Sequence, residues 1–310
     1  MKPLPPAIFL MGPTASGKTG VAVDLVRHLP VEIISVDSAL VFRDMDIGTA
    51  KPDAAALARA PHHLIGIIDP TEAYSAAAFR HDALRLMHDI TARGKIPLLV
   101  GGTMLYFKAL SAGLSDLPPS NPEVRAALDA EIAQRGIRRL HIELSKVDAE
   151  TAARLKPADT QRIQRAMEIY RITGKPMSVL IGQKQSTEMP CRIIPIALVP
   201  SDRAQLHARI AARFKGMLEH GLVDELHMLR KKYTLHPNMT AMRCVGYRQA
   251  WQFIEGEIDE AQLLETGIAA TRQLAKRQLT WLRAMPDNIK LDCLAPDLTT
   301  RVHDSIKLNQ

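Results

Sequence analysis

Eight consecutive residues near the start, Gly12-Pro13-Thr14-Ala15-Ser16-Gly17-Lys18-Thr19, satisfy the phosphate-cradling pattern G-x-x-x-x-G-K-[ST] at every position. The flanks supply the context the pattern needs. Ala7-Ile8-Phe9-Leu10-Met11 is a short apolar run of the kind that makes a buried strand, and Gly20 to Val26 has helical apolar spacing. Glycines at 12 and 17 let the backbone curl so that successive N–H groups point inward, and the following helix N-terminus adds partial positive charge. Lys18 then bridges phosphate oxygens, and Thr19 offers a hydroxyl to Mg²⁺. A chain with this opening is expected to be an α/β protein, a P-loop NTPase-like parallel sheet flanked by helices. The pattern is one used in nucleotide and ATP binding, and it leaves open whose phosphates are held.

The remaining composition narrows the partners. Of 310 residues 46% are hydrophobic, enough for a sizeable core, and a formal charge of +7 favours a polyanion such as nucleic acid. Cys191, Cys244 and Cys293 are widely spaced and form no C-x-x-C, so neither a disulfide framework nor a zinc site is expected. No apolar run reaches the roughly 18 residues of a membrane span, and the first strand begins about residue 7. A cytoplasmic, monomeric protein without membrane partners is the expectation.

Val31 to Val36 reads as a second strand ending at Asp37-Ser38, where open α/β sheets deliver residues to a ligand crevice. Asp37 is the first carboxylate placed to face the phosphate loop, although a turn or N-cap aspartate is the commoner role. Met45 to Pro52 reads as a loop with Asp46 and Lys51 available for polar contacts, and the adjacent His62 and His63 lack the spacing of metal ligands. Ser75 caps a crossover helix that ends before Gly94. Ile96 to Val100 gives a third strand, whose Gly101 and Gly102 would let backbone approach a ligand and whose Thr103 offers a hydroxyl. These features place residues 1–117 in a first part of the core.

From about Leu117 the alternation of strands and helices stops, so residues 118–190 are expected to be a helical insert. Within it Asp159 caps a helix with a buried stripe of Ile163, Ala166, Met167, Ile169 and Tyr170, leaving Gln161 and Arg165 outward. The core resumes over 191–310. Arg192 to Val199 is a strand, and Ser201-Asp202 caps a helix on which Arg209 and Arg213 share a face and could clamp phosphate. Arg243 to Arg248 sets two guanidiniums beside the Tyr247 ring, an arrangement suited to nucleic acid. On a helix from Glu260 to Ala284, Arg272, Lys276 and Arg283 fall within an arc of about 40°. Beyond Pro286 the polar tail gives no signal.

Together, the phosphate loop, Asp37-Ser38, Met45 to Pro52, Gly101-Gly102-Thr103, Gln161 to Arg165, Thr173-Gly174-Lys175-Pro176, Arg243 to Arg248 and Thr271 to Arg283 resemble the tRNA dimethylallyltransferase (tRNA isopentenyltransferase) family over residues 7 to 284. The absence of a C-terminal zinc finger resembles its bacterial type. The resemblance implies transfer of a dimethylallyl group from dimethylallyl diphosphate to N6 of the adenosine 3′-adjacent to the anticodon of tRNA. Gly12, Pro13, Thr14, Ala15, Ser16, Gly17, Lys18 and Thr19 would bind the donor diphosphate with Arg213, and Mg²⁺ would sit at Thr19. Asp37 would take the N6 proton, while Thr103 and Lys18 act on the leaving diphosphate. The implied tRNA contacts are Asp37, Ser38, Ala39, Leu40, Thr103, Arg125, Gln161, Arg162, Ile163, Gln164 and Arg165. They continue with Arg243, Cys244, Val245, Gly246, Tyr247, Arg248, Lys276, Arg277, Gln278, Leu279, Thr280, Trp281, Leu282 and Arg283. Leu40, Phe42 and Gly66 depart from the Gln, Tyr and Asp frequent at those places in the family. Three other functions share parts of this pattern: a P-loop kinase of a small metabolite, an adenylate isopentenyltransferase, and a non-catalytic RNA-binding protein.

Overall fold

The apolar runs become strands of one parallel sheet in the computed structural model of the chain, which describes residues 4–181, 189–285 and 287–309. The strands are β1 (Pro6–Met11), β2 (Val31–Val36), β3 (His62–His63), β4 (Ile96–Gly101), β5 (Arg192–Val199) and β6 (Ile289–Asp292). Their order is β3-β2-β4-β1-β5-β6, so β1, which carries the phosphate loop, lies in the middle between β4 and β5. Alternation divides the side chains between two faces. Phe9 and Met11 of β1 join Ile34, Leu99, Phe79 and Phe107 on one face, while Ile8 and Leu10 join Leu25, Ile33, Leu98 and Ile196 on the other. Each such buried side chain contributes about 1.5–3 kcal/mol through the area it removes from water.

Helices supply the rest of the regular structure. In chain order they are α1 (Lys18–His28), α2 (Ala54–Arg59), α3 (Ala76–Ala92), α4 (Met104–Ala112), α5 (Pro122–Arg135), α6 (Ile137–Val147), α7 (Ala149–Arg154), α8 (Thr160–Thr173), α9 (Met177–Leu180), α10 (Arg203–Glu219), α11 (Leu222–Lys232), α12 (Tyr247–Ile254), α13 (Glu260–Arg283) and α14 (Leu298–Leu308). Caps expected from the sequence are made. Ser75 Oγ accepts from Ala78 N, Asp159 Oδ1 from Arg162 N and Asp202 Oδ1 from Ala204 N.

The chain divides into a unit of Met1–Ser111 with Met189–Gln310 and a helical unit of Ala112–Glu188. The latter begins a few residues before the 118 expected, and residues 182–188, like Pro286, lie outside the described residues. Its core is Leu128, Leu140, Leu144, Ala152, Ile163 and Met167. Two parts of the sheet unit carried no usable sequence signal. The two-residue β3 pairs with β2 through His62 and His63, and the tail after Pro286 supplies β6 and α14, whose Val302 and Ile306 are fully buried.

Candidate active site

β1 hands the chain to the loop, and α1 receives it with Gly17 in the left-handed conformation at φ 82°. Ala15 also has a positive φ, 62°, an arrangement that turns neighbouring amides to one side. Gly12 has no room for a side chain, because a Cβ there would stand 2.7 Å from Ser16 Oγ and 3.1 Å from the Leu198 backbone oxygen. Lys18 donates to Pro13 O at 2.6 Å and Ser16 Oγ at 3.3 Å, and among the described residues no carboxylate forms an ion pair with it. Burial pushes its ammonium down to about 8, opposed by the charge of Asp37 and reinforced by that of Arg213.

Two neighbouring strand ends face this loop. Asp37 follows β2, with Oδ1 accepting from Ala39 N at 2.8 Å. Thr103 follows β4, and its Oγ1 accepts from Ser38 N at 3.0 Å and lies 3.4 Å from Ser38 Oγ, tying the two strand ends together. The glycines between serve packing inside the protein, and not the ligand approach expected from sequence. A Cβ on Gly101 would fall on the Val36 backbone, and one on Gly102 on the Gln278 amide at 2.2 Å.

α10 and α13 complete the site from the other side. They touch intimately where Gly267 admits the Phe214 ring, and Leu206, Ile210 and Ala275 form a small core on which Ala15 of the loop rests. This packing brings Arg213, exposed, within electrostatic range of Lys18 and Asp37; its Nη2 reaches Thr49 O at 3.4 Å. The loop carrying Thr49 is held by Glu225, whose carboxylate accepts from the amides of Asp46, Ile47 and Gly48 and from the Tyr247 hydroxyl. Lys51 is turned in, paired with Asp46 and donating to Phe42 O. Glu225 carries no local sequence signal, since it lies far along the chain from the loop it organises.

Several expected nucleic-acid residues have other work. Tyr247 is fully buried against Gly48 and Leu222, so its ring is unavailable for base stacking, and burial together with Glu225 drives its hydroxyl far above the ordinary range. Ile163, Leu282, Gly246 and Gln278 are interior as well. Cys244 is half-buried, and burial beside Asp37 pushes its thiol up to about 12. Arg165 is not outward, since it donates to Glu168 and to Pro118 O, and Arg125 donates to Glu168 too. Tyr170 is only partly buried, and the stripe it was expected to close contains Glu168 instead. Burial opposes the Glu168 charge, yet hydrogen bonds from Ser120, Arg165, the Asn121 amide and Arg125 hold its carboxyl below the usual range. Ser38, Arg162, Arg243, Arg248, Lys276, Arg277, Thr280 and Arg283 are exposed.

Among the described residues no group of three His, Cys, Asp or Glu side chains could hold a metal, and no helix is long and apolar enough to cross a membrane. Thr19 is exposed in the first turn of α1, and a hydroxyl there suits a hard cation that takes its other ligands from phosphate and water.

The family model described as IPP transferase matches residues 40–285. A protein of Methylobacillus flagellatus named tRNA dimethylallyltransferase is 63% identical over 295 residues, which are 95% of this chain and 94% of that protein. One of the same name from Azoarcus sp. is 60% identical over 306 residues, 97% and 96% of the two chains. The solved structure of the tRNA isopentenylpyrophosphate transferase of Bacillus halodurans superposes with a TM-score of 0.69 at 34% identity, covering 97% of this chain and 95% of that one. With a phosphate loop, an aspartate and a tied pair of hydroxyls at adjoining strand ends, the chain belongs to the IPP transferase family, that of the tRNA dimethylallyltransferases.

Proposed function

We propose that this protein transfers a dimethylallyl group from dimethylallyl diphosphate to N6 of the adenosine 3′-adjacent to the anticodon in tRNA, releasing diphosphate. The observation that carries the reading is positive charge that forms no ion pair with a carboxylate among the described residues, on Lys18 and Arg213, in electrostatic range of Asp37. A diphosphate seated on Lys18 and the loop amides is a good leaving group, because the charge that develops as the C–O bond breaks meets donors already in place. Arg213 clamps the same group. Thr19 would hold Mg²⁺, which offsets further negative charge on the diphosphate when bound.

Asp37 is the acceptor's base. With Oδ1 taken by the Ala39 amide, Oδ2 receives the N6 proton as the N6–C bond forms and the C–O bond breaks. Thr103, fixed by Ser38, presents its hydroxyl to the departing diphosphate. The exposed side chains of Arg162, Arg243, Arg248, Lys276, Arg277 and Arg283 are the proposed tRNA contacts, and the target base is drawn out of the anticodon stack to reach Asp37. ATP is not a substrate in this scheme.

Incubation with dimethylallyl diphosphate, Mg²⁺ and either unmodified tRNA or AMP, followed by mass analysis of nucleosides, tests the reading. N6-dimethylallyladenosine in the tRNA alone is expected. Modification of AMP in preference would move the protein to the adenylate isopentenyltransferases.

A further inference from the structure

We infer that Gln278 is a positioning residue of the transfer reaction, a side chain that fixes the phosphate loop against the strand end bearing Thr103. The inference rests on the proposed transfer and departs from what the run Lys276 to Arg283 suggested, because Gln278 faces inward. Its side chain is buried, with Oε1 accepting from Thr14 N at 2.8 Å and Nε2 donating to Gly102 O at 2.9 Å. The two partners leave no ambiguity about the amide, since one is a donor and the other an acceptor.

The bridge spans the donor and acceptor halves of the site. Thr14 lies in the loop that seats the leaving diphosphate, and Gly102 precedes Thr103, which is tied through Ser38 to the Asp37 strand end. Gly102 is needed for it, because any Cβ there would strike Nε2. The Ala15 methyl rests on the α10–α13 core beside it, so the loop is held twice by α13, once by packing and once by the amide. Because Thr14 N–H is committed to Gln278, diphosphate is left to the amides further along the loop and to Lys18. Reacting atoms must meet at near-contact distance, so a loop displaced by an ångström loses rate without losing either substrate.

Three quantities are measured on the full chain: kcat at saturating donor and tRNA, the dissociation constant for tRNA, and the midpoint of thermal unfolding. In Gln278→Met, which keeps side-chain length and removes both hydrogen bonds, kcat is expected to fall about 10²-fold with tRNA affinity unchanged. Gln278→Glu keeps the acceptor for Thr14 N–H and sets a carboxylate oxygen against Gly102 O; it provides the same comparison should Gln278→Met not fold, and its kcat is expected to fall too. An unchanged kcat in either folded variant, or weakened tRNA binding with kcat intact, overturns the assignment. A wild-type protein that modifies no tRNA would overturn the proposed function instead.

Discussion

The phosphate loop and the helical unit treat charge in opposite ways. Around the loop, Lys18 and Arg213 lie near a carboxylate yet, among the described residues, bond to backbone or hydroxyl oxygens alone. In the helical unit, Arg125 and Arg165 converge on Glu168, which is entirely buried and receives four donors. Charge drawn out of water without a carboxylate partner, as on Lys18, is costly to keep in a fold, so where it persists it marks a place for a ligand. Satisfied charge marks architecture. An arginine in a motif thus has two very different meanings, and burial with its partners distinguishes them.

The sharpest break in this comparison is at Asp37. Asp37→Ala should lower transfer about 10³-fold, as loss of a general base does, while tRNA affinity holds. A filter-binding measurement alongside single-turnover kinetics separates the two, and an unchanged rate would remove the base. Next is Glu168→Ala, expected to cost about 3 kcal/mol because two guanidiniums lose their buried partner. Hydrogen exchange should locate that loss in residues 112–181 and leave the sheet protected; protection lost evenly would contradict the division.

A smaller effect concerns Lys18. Its pKa of about 8 lies below the ordinary lysine value, so between them the unliganded fold binds fewer protons than the open chain. Stability therefore rises with pH over that interval, and affinity for inorganic diphosphate, which needs the charged amine, falls as pH climbs through about 8. Calorimetry near pH 8.5 in buffers of different ionisation enthalpy should show uptake of a fraction of a proton on diphosphate binding. The same titration of Lys18→Ala should show none. Smallest is Lys276→Ala, which should reduce the salt dependence of tRNA binding by about one counterion. An unaltered slope would take the exposed face of α13 out of the RNA contact.

The two regions also differed in how far the sequence disclosed them. Strands β1, β2, β4 and β5 were legible because continuous apolar runs ending in Asp37, Gly101 or a glycine-rich loop have few other solutions. β3 and β6 were not, since two histidines and a four-residue run gain strand form only from the neighbours they pair with. The loop was readable from its spacing and the strand ends at Asp37 and Thr103 from the apolar runs before them, while their roles came only with the family resemblance; Glu225 and the inward turn of Gln278 depend on contacts between distant parts of the chain. Tyr247 and Arg165 misled for one reason: residue type suggested an RNA contact, and only burial revealed partners inside the protein.

The fate of the diphosphate decides between prenyl transfer and ATP chemistry. With labelled dimethylallyl diphosphate, unmodified tRNA and ATP in one reaction, one diphosphate should be released for each prenyl group found on tRNA, with ATP intact. Phosphate released from ATP and no label on tRNA would contradict prenyl transfer.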